Sequence, residues 1–370
     1  MSAPLDASQL QITKTTKPST PLPKEQLVFG KSFTDHILEI EWTQESGWGT
    51  PTITPYHTFS LDPATCVLHY SFELFEGLKA YRDSEGKIRT FRVNKNMERM
   101  NRSAKRAALP TFDGDEFQKL LHKFLQVEER FVPEGFGYSL YLRPTLIGTS
   151  IGLGVSAPTK ALLYCIASPV GPYFSAGFKP VSLEATDYAV RAWPKGVGSY
   201  KLGANYVSCI EPQMEAAKRG HSQNLWLFGE EGYITEVGAM NVFFAFENED
   251  GTKELVTPPL DGMILPGVTR DSALELARTK LDSKVWQVNE RSLTIHEVKA
   301  RADKGQLIEA FGTGTAAIVS PIDEIEYKGE TIKVPVAAGT SGELTLQINN
   351  WIKDIQYGVE QFKDWSKVAN

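Results

Sequence analysis

Residues 199–206 read SYKLGANY, and this stretch, together with three others that follow it, decides the fold. A carboxylate comes next, Glu236, in the run ITEVGAMN. Two glycine-rich turns follow, PGVT at 266–269 and GTGTAA at 312–317. The first turn precedes a helical pattern, so its backbone amides would lie at a helix start, where anions bind. One lysine, Lys201, one acid and two turns suited to an anion therefore occur in this order along the chain.

These four elements match the needs of one cofactor. Pyridoxal phosphate requires a lysine for its aldehyde, an acid beside its ring nitrogen and a cradle for its phosphate. Each element alone has a plainer interpretation: Lys201 as a surface lysine, Glu236 as a solvated acid and each turn as an ordinary loop. That interpretation requires a separate coincidence for each of the four elements, which occur together in the order that the cofactor needs. We therefore expect amine chemistry through a Schiff base on Lys201.

Composition excludes several classes of function. The chain has 370 residues, a formal net charge of −6 and 41% hydrophobic residues, which is ordinary for a globular protein. An acidic balance without a long basic run argues against nucleic acid or an anionic membrane as partner, and no apolar stretch is long enough for a membrane span. The three cysteines (Cys66, Cys165 and Cys209) are scattered, and the six histidines form no ligand pair. We therefore predict neither a disulfide framework nor a metal site.

Length and loop composition predict two domains. Residues 1–26 are rich in Ser, Thr, Pro and Lys and are expected to form a flexible tail. Residues 27–170 indicate an N-terminal α/β domain, 171–181 an interdomain loop, and 182–370 a C-terminal domain that binds the cofactor. The tail lacks arginine and carries Asp6, unlike a mitochondrial transit peptide. A cytoplasmic location is therefore predicted, with a mitochondrial one as the less favoured alternative.

Periodicity predicts helices mixed with mostly antiparallel strands. Apolar residues from Phe117 to Val127 recur at helical spacing, as do Met97, Met100 and Ala104. The other predicted elements are strands at 138–142 and 161–167, a helix at 211–218, hairpins at 224–235 and 241–257, a capped helix start at Thr294 and a helix within 343–362.

Taken together, these residues resemble the branched-chain aminotransferases, which are pyridoxal-phosphate enzymes of fold type IV. The resemblance extends from LVFG at 27–30 to IQYG at 355–358 and is closest to the fungal and animal enzymes. It rests on several long motifs: FTDH at 33–36, GWG at 47–49, HYS at 69–71, LFEGLKA at 74–80, YLRP at 141–144, RAW at 191–193, YKLG at 200–203 with NY at 205–206, TEVG at 235–238 and ILPGV at 264–268.

The resemblance implies a two-domain α/β (α+β) fold. A smaller N-terminal α/β domain and a larger C-terminal domain with antiparallel-rich sheets would place the active site at the domain and dimer interface. The implied reaction is a reversible, ping-pong transfer of the amino group of leucine, isoleucine or valine to 2-oxoglutarate, giving branched 2-oxo acids and L-glutamate. The expected partners are these small molecules and a second copy of the chain.

The resemblance also implies the residues that hold the cofactor. Lys201 would bind it covalently and move the proton between substrate and cofactor. Tyr206 would bond the ring hydroxyl, and Glu236 would pair with the ring nitrogen. The phosphate would be held by Arg99, whose fork suits bidentate contacts, and by Val268, Thr269 and Thr315.

A carboxylate site and an apolar pocket would hold the substrate. Its carboxylate would rest on the amides of Thr315 and Ala316. The pocket wall would comprise Phe29, Tyr70, Phe75, Tyr141, Tyr173, Leu153 of the partner subunit and Val155 of the partner subunit. Arg143, two residues after Tyr141 on a strand, would lie on the same face and bind the distal carboxylate of glutamate. The alternative for Arg143 is a packing role in an ion pair with Glu76 or another acid.

Two departures from the family pattern bear on function. Ala239 occupies a position beside the substrate where close relatives often have Thr. We therefore expect the preference of this chain among substrates to be altered in detail. Ala317 and Ser320 replace the Cys-x-x-Cys of vertebrate members, which excludes a thiol switch at that place.

Three alternatives stay open at this point. The chain could be a D-amino acid aminotransferase or an aminodeoxychorismate lyase of the same fold, but the Tyr141-Leu142-Arg143 motif and the aromatic wall argue against both. It could be a specialised-pathway paralogue with altered amino acid specificity. It could also be a catalytically dead relative that acts as a binding subunit, although Lys201 and Glu236 are retained.

Overall fold

A computed structural model describes residues 3–172, 179–337 and 339–369. Most of the interdomain loop predicted at 171–181 lies outside these ranges, and so does the predicted pocket residue Tyr173.

The described residues form strands and helices in mixed order. The strands are β1 (Gln11–Ile12), β2 (His36–Thr43), β3 (Gly47–Trp48), β4 (Thr52–Pro55), β5 (Glu73–Phe75), β6 (Leu78–Arg82), β7 (Ile88–Phe91), β8 (Ser139–Gly148), β9 (Lys160–Val170), β10 (Val181–Thr186), β11 (Gln223–Phe228), β12 (Tyr233–Val237), β13 (Asn241–Glu247), β14 (Lys253–Thr257), β15 (Trp286–Glu290), β16 (Leu307–Gly314), β17 (Ile318–Tyr327), β18 (Glu330–Lys333) and β19 (Ser366–Val368). The helices are α1 (Cys66–Tyr70), α2 (Val93–Arg106), α3 (Gly114–Val127), α4 (Ala204–Val207), α5 (Ile210–Lys218), α6 (Val268–Lys280), α7 (Ile295–Asp303) and α8 (Glu343–Gln356).

The chain divides into two compact units. Unit 1 comprises the described residues of 1–173, 200–204 and 354–370, and unit 2 those of 174–199 and 205–353. The mixed helix and strand content with strand-rich sheets agrees with the predicted fold class. None of the described helices is both long and apolar enough to cross a membrane.

Unit 1 contains a ten-stranded sheet with the path β1-β4-β2-β9-β8-β6-β7-β19, on which β3 and β5 pair with β2 and β8. Its long central strands, β8 and β9, run antiparallel along ten paired positions, from Ser139↔Val170 to Gly148↔Ala161. Helix α3 buries one apolar face, including Phe117 and Leu121, because these residues recur at helical spacing. Its N-terminus is capped by Asp113, whose side chain accepts from the N–H groups of the first turn.

The N-terminal segment differs from the predicted flexible tail. Strand β1 pairs in parallel with β4, and Leu5 is buried. The Ala7 N–H donates to the Glu116 carboxylate at 2.7 Å, and the Thr15 N–H donates to the His36 ring at 2.8 Å. Backbone groups make most of these contacts. The polar amino acid composition of the segment therefore does not predict them.

Two segments lie in a different unit from the one that the predicted domain boundary assigns to them. Residues 200–204, which include Lys201, and residues 354–370 were both predicted within 182–370, yet they belong to unit 1. The first segment pairs with β5, and the second contains β19, which pairs with β7. Long-range strand pairing therefore decides where these segments belong.

Unit 2 contains a nine-stranded sheet with the path β12-β11-β10-β17-β16-β13-β14-β15, on which β18 pairs with β17. Both predicted hairpins form, β11 with β12 and β13 with β14. Thr294 caps α7 by accepting from the Glu297 N–H, as predicted. Helix α8 ends at Gln356, before the predicted limit of 362, and Gly358 has a φ of +71° that suits glycine.

Candidate active site

The backbone of Lys201 is held from two sides within unit 1. Its carbonyl accepts a hydrogen bond from the Phe75 N–H at 3.2 Å, and the next residue, Leu202, forms an antiparallel bridge with Leu74. Its own N–H donates to the Ser103 Oγ on α2 at 2.9 Å. The lysine side chain therefore starts from a fixed stretch of backbone beside β5.

The ring of Phe75 has two cations near it. The Nζ of Lys201 lies 4.8 Å from the ring centroid, and the Cζ of Arg143 lies 4.5 Å from it. The negative face of an aromatic ring attracts a cation at such distances, more strongly where water is excluded. The structure thus brings these three predicted site residues together.

Arg143 also contacts the aromatic wall of the predicted pocket. Its Nη2 donates to the Tyr141 hydroxyl at 3.0 Å, since alternate residues of β8 share a face. The Phe29 ring packs edge-on against Tyr141 with centroids 4.9 Å apart. A Cβ at residue 77 would lie 2.0 Å from the Tyr141 hydroxyl oxygen, so Gly77 leaves the room that this ring needs.

Glu76 pairs with Arg99, not with Arg143. The Nε and Nη2 of Arg99 donate to the two carboxylate oxygens of Glu76, each at 2.7 Å. Asn96 adds a third donor at 2.8 Å. The alternative in which Arg143 pairs with Glu76 is therefore wrong, because Arg99 and Asn96 occupy both oxygens of this carboxylate.

The other predicted pocket residues of unit 1 lie nearer the surface. Tyr70 is partly exposed, and its hydroxyl donates to the Leu153 carbonyl. The side chains of Leu153 and Val155, predicted to act from the partner subunit, are 70% and 74% exposed in their own chain.

In unit 2, Glu236 is 2% exposed and sits among three donors. The Nε of Arg191 lies 2.6 Å from one carboxylate oxygen. The other oxygen accepts from the Asn241 side chain at 3.1 Å and from the Leu265 N–H at 3.0 Å. A buried carboxylate with a cation and two neutral donors is therefore built into the end of β12.

Asn241 connects this carboxylate to both predicted turns. Its Nδ2 also donates to the Leu265 carbonyl at 2.8 Å, which fixes the loop before α6. A Cβ at residue 267 would lie 2.1 Å from the Asn241 Oδ1, so Gly267 is required there. Across the sheet, the backbone of Asn241 pairs with Thr313, which lies on β16 just before the second turn. Asn241 thus contacts Glu236 and the loop before α6 through its side-chain amide, and β16 through strand pairing.

The remaining predicted site residues of unit 2 lie in turns or on helices. Val268 and Thr269 are the first residues of α6. Thr315 and Ala316 occupy the turn between β16 and β17 and are half-buried. Ala239 is exposed in the turn between β12 and β13, and Tyr206 is half-buried on α4.

The residues present fit pyridoxal phosphate. Gly267 caps α6 without a side chain, so the helix start has no side-chain cap and suits an external anion. The hydroxyl of Thr313 is buried and has no hydrogen-bond partner among the described residues. Arg99 supplies a buried cation and Glu236 a buried anion. Phosphate and a protonated ring nitrogen need these two charges.

Four partners of the site were not predicted from the sequence. Ser103 holds the Lys201 backbone, Glu76 holds Arg99, and Arg191 with Asn241 holds Glu236. Glu76 and Arg191 lie inside motifs that already indicated the family, LFEG and RAW, and Asn241 ends the run ITEVGAMN that contains Glu236. No motif in the sequence indicated Ser103, because only the packing of α2 brings its side chain to the Lys201 backbone.

One cluster of metal-type ligands occurs among the described residues, formed by Glu184, His221 and Glu326. Arg219 donates to both carboxylate oxygens of Glu184. A guanidinium in this position would repel a metal cation, so the cluster is better described as an ion-pair network.

Comparison with known proteins adds to this geometry. A family model described as amino-transferase class IV matches residues 73–325. The mitochondrial branched-chain-amino-acid aminotransferase of Saccharomyces cerevisiae is 62% identical over 369 residues, which cover 99% of this chain and 94% of that protein. The cytosolic enzyme of the same yeast is 59% identical, with 99% and 98% covered. A solved structure of the branched-chain aminotransferase from the archaeon Thermoproteus uzoniensis with norvaline matches with a TM-score of 0.70 at 25% identity, covering 90% of this chain and 100% of that one.

Proposed function

Because this chain belongs to the class IV aminotransferases, we propose that it is a branched-chain amino acid aminotransferase. It transfers the amino group of leucine, isoleucine or valine to 2-oxoglutarate, reversibly and in two half-reactions. The observation that carries this proposal is the 62% and 59% identity, over nearly the full length, to two yeast enzymes of that name. The positions of Lys201, Glu236 and Arg143 support it.

The cofactor of the proposed reaction is pyridoxal phosphate. When bound, it supplies an aldehyde that takes up the amino group and a ring that accepts the electrons of the substrate Cα–H bond. Lys201 binds it covalently through Nζ. Glu236 pairs with its ring nitrogen and Tyr206 with its ring hydroxyl. Arg99, with Val268, Thr269 and Thr315, holds its phosphate, since guanidinium and helix-start amides both favour anions.

Lys201 has a second task as a general base. Its Nζ would take a proton from the substrate Cα and later give that proton back. The fixed backbone of Lys201, held by Phe75 and Ser103, limits the positions that Nζ reaches. The substrate carboxylate rests on the amides of Thr315 and Ala316.

The substrate side chain lies against Phe29, Phe75, Tyr141 and Tyr70. This wall suits leucine, isoleucine and valine because it is apolar and aromatic. Glutamate and 2-oxoglutarate place their distal carboxylate on Arg143, whose Nε is buried and has no hydrogen-bond partner among the described residues. One pocket therefore accepts both classes of side chain.

A homodimer completes the proposed pocket, with Leu153 and Val155 reaching the partner's substrate. Their exposure in the single chain supports this, together with that of neighbouring Ile151, which is 66% exposed. Light scattering on the purified protein tests it. A monomer that stays fully active would contradict it.

A panel of amino donors tests the proposed function directly. Each donor, branched or not and including D-amino acids, is offered with 2-oxoglutarate, and the glutamate formed is measured. We expect kcat/KM for leucine, isoleucine and valine to exceed that for alanine and for every D-amino acid. The substitution at Ala239 makes an enlarged donor range the second candidate, and bulky L-amino acids in the panel detect it. The predicted cytoplasmic location is tested separately by cell fractionation.

A further inference from the structure

Glu73 is an acidic residue beside the predicted pocket that the proposed mechanism does not use. It lies two residues before Phe75 on β5, so both side chains leave the same face of the strand. Leu74 between them is buried on the other face. Glu73 therefore borders the surface on which Arg143 and Lys201 contact the Phe75 ring.

The carboxylate of Glu73 is fixed by the Lys201 segment. The Gly203 N–H donates to it, and a Cβ at residue 203 would lie only 1.8 Å from its Oε2. Close packing against a bare backbone leaves the carboxylate little freedom. Its position is thus set by the same segment, residues 200–204, that contains Lys201.

Glu73 interacts electrostatically with both Arg143 and Lys201. Burial raises the pKa of Glu73, while the Gly203 N–H and the positive charges of Arg143 and Lys201 act in the opposite direction. Among the described residues the Arg143 guanidinium makes no salt bridge, and its one side-chain hydrogen bond goes to the Tyr141 hydroxyl. Glu73 is a carboxylate on the paired strand β5 whose charge acts on this guanidinium.

We propose that Glu73 sets the substrate preference of the pocket by acting as the resident counter-charge of Arg143. This proposal rests on the proposed function and extends it. When an aliphatic side chain occupies the pocket, the carboxylate of Glu73 offsets the positive charge of Arg143. With a dicarboxylate, the distal carboxylate binds Arg143 directly and is repelled by Glu73, because like charges at short range in a partly buried site interact strongly. Glu73 thus favours aliphatic substrates over acidic ones.

Binding of two unreactive acids tests the proposal. Glutarate carries the distal carboxylate, and 4-methylvalerate carries a leucine-like side chain in its place. Calorimetric titration of the cofactor-loaded protein compares wild type with Glu73→Gln, which keeps an oxygen to accept from Gly203 but removes the charge. We expect glutarate to bind about five- to tenfold more tightly to Glu73→Gln, with 4-methylvalerate unchanged within about twofold.

The controls separate charge from packing. Glu45→Gln removes one carboxylate from an exposed turn and should change neither affinity. Glu73→Asp withdraws the charge by one methylene and should shift glutarate in the same direction by a smaller factor, so it serves if Glu73→Gln does not fold. Weaker or unchanged glutarate binding, or equal changes for both acids, would overturn the proposal. A wild-type protein that turns over no branched-chain donor would instead refute the proposed function.

Discussion

Two buried arginine–glutamate pairs, one in each unit, have opposite arrangements. In unit 1 the fork of Arg99 meets both oxygens of Glu76, and Asn96 adds to one of them. In unit 2, Arg191 approaches a single oxygen of Glu236 through its Nε. Backbone and amide donors cover the other oxygen.

The difference concerns which member of each pair is proposed to serve the cofactor. In the first pair the arginine would bind the phosphate and Glu76 would orient it. In the second, Glu236 would bind the ring nitrogen and Arg191 would orient it. Each pair is nearly neutral overall, so the member turned to the ligand decides which charge the ligand meets. Desolvation offsets most of the attraction within such pairs, so positioning is a better account of them than stability.

Lys201→Ala breaks the covalent link and leaves both pairs intact. We expect a loss of turnover of about 10⁴-fold or more, since the binding amine and the general base are lost together. If the two pairs hold the cofactor as proposed, the variant still binds it, without the absorbance of the lysine-bound form. Borohydride reduction of wild type followed by peptide mapping identifies the modified lysine, and a label elsewhere would end the proposal.

Glu236→Gln changes the member of the unit 2 pair that is proposed to serve the cofactor. An amide cannot keep the ring nitrogen protonated, so we expect the chemical step to slow by about 10²- to 10³-fold. Single-turnover kinetics at saturating leucine measures this step. Unchanged rates would show that the two pairs do not have the opposite roles described above.

Arg99→Gln and Arg191→Gln compare the pairs directly. Each leaves a buried glutamate without its cation, so each should lower the free energy of unfolding of the cofactor-free protein by about 3–5 kcal/mol. Only Arg99→Gln should also weaken phosphate binding, raising the dissociation constant of pyridoxal phosphate by about 10- to 100-fold. Urea unfolding and cofactor titration provide the two measurements. Equal losses of cofactor affinity would contradict the assignment.

Arg143→Gln removes the arginine that lies outside both pairs. Losing a charge-assisted contact should cost about 2 kcal/mol on glutamate and 2-oxoglutarate, which is about 30-fold in kcat/KM. Leucine and its 2-oxo acid should change much less, because they meet only the aromatic wall. Steady-state kinetics with both substrate classes checks this, and equal losses would make Arg143 structural.

Mild peroxide should have the smallest effect. Ala317 and Ser320 carry no sulfur, so no disulfide can form at that turn. Cys209 lies in unit 2 within reach of the charges of Arg191 and Glu236, and burial raises the pKa of its thiol, which opposes oxidation. We expect activity to persist after treatment. Fast inactivation that a thiol reductant reverses, and that Cys209→Ser abolishes, would show that oxidation reaches this pair.

The amino acid sequence by itself determined most local elements and indicated the proposed chemistry of the site. Helix α3 follows from apolar spacing, the cap of α7 from Thr294 and Glu297, and the proposed cofactor from the order of Lys201, Glu236 and two glycine-rich turns. These signals are local, because helical periodicity, capping and turn chemistry each depend on neighbours a few residues apart.

Tertiary structure decided which side chains meet. Glu76 was a candidate partner for Arg143 but pairs with Arg99, which helix α2 brings to it from 23 residues along the chain. The segment around Lys201 joins unit 1 through pairing with β5, and Glu73 lies near Arg143 because β5 also pairs with β8, the strand that carries Arg143. Such contacts depend on strand register between distant residues, and register depends on the packing of the whole sheet, which no local pattern contains.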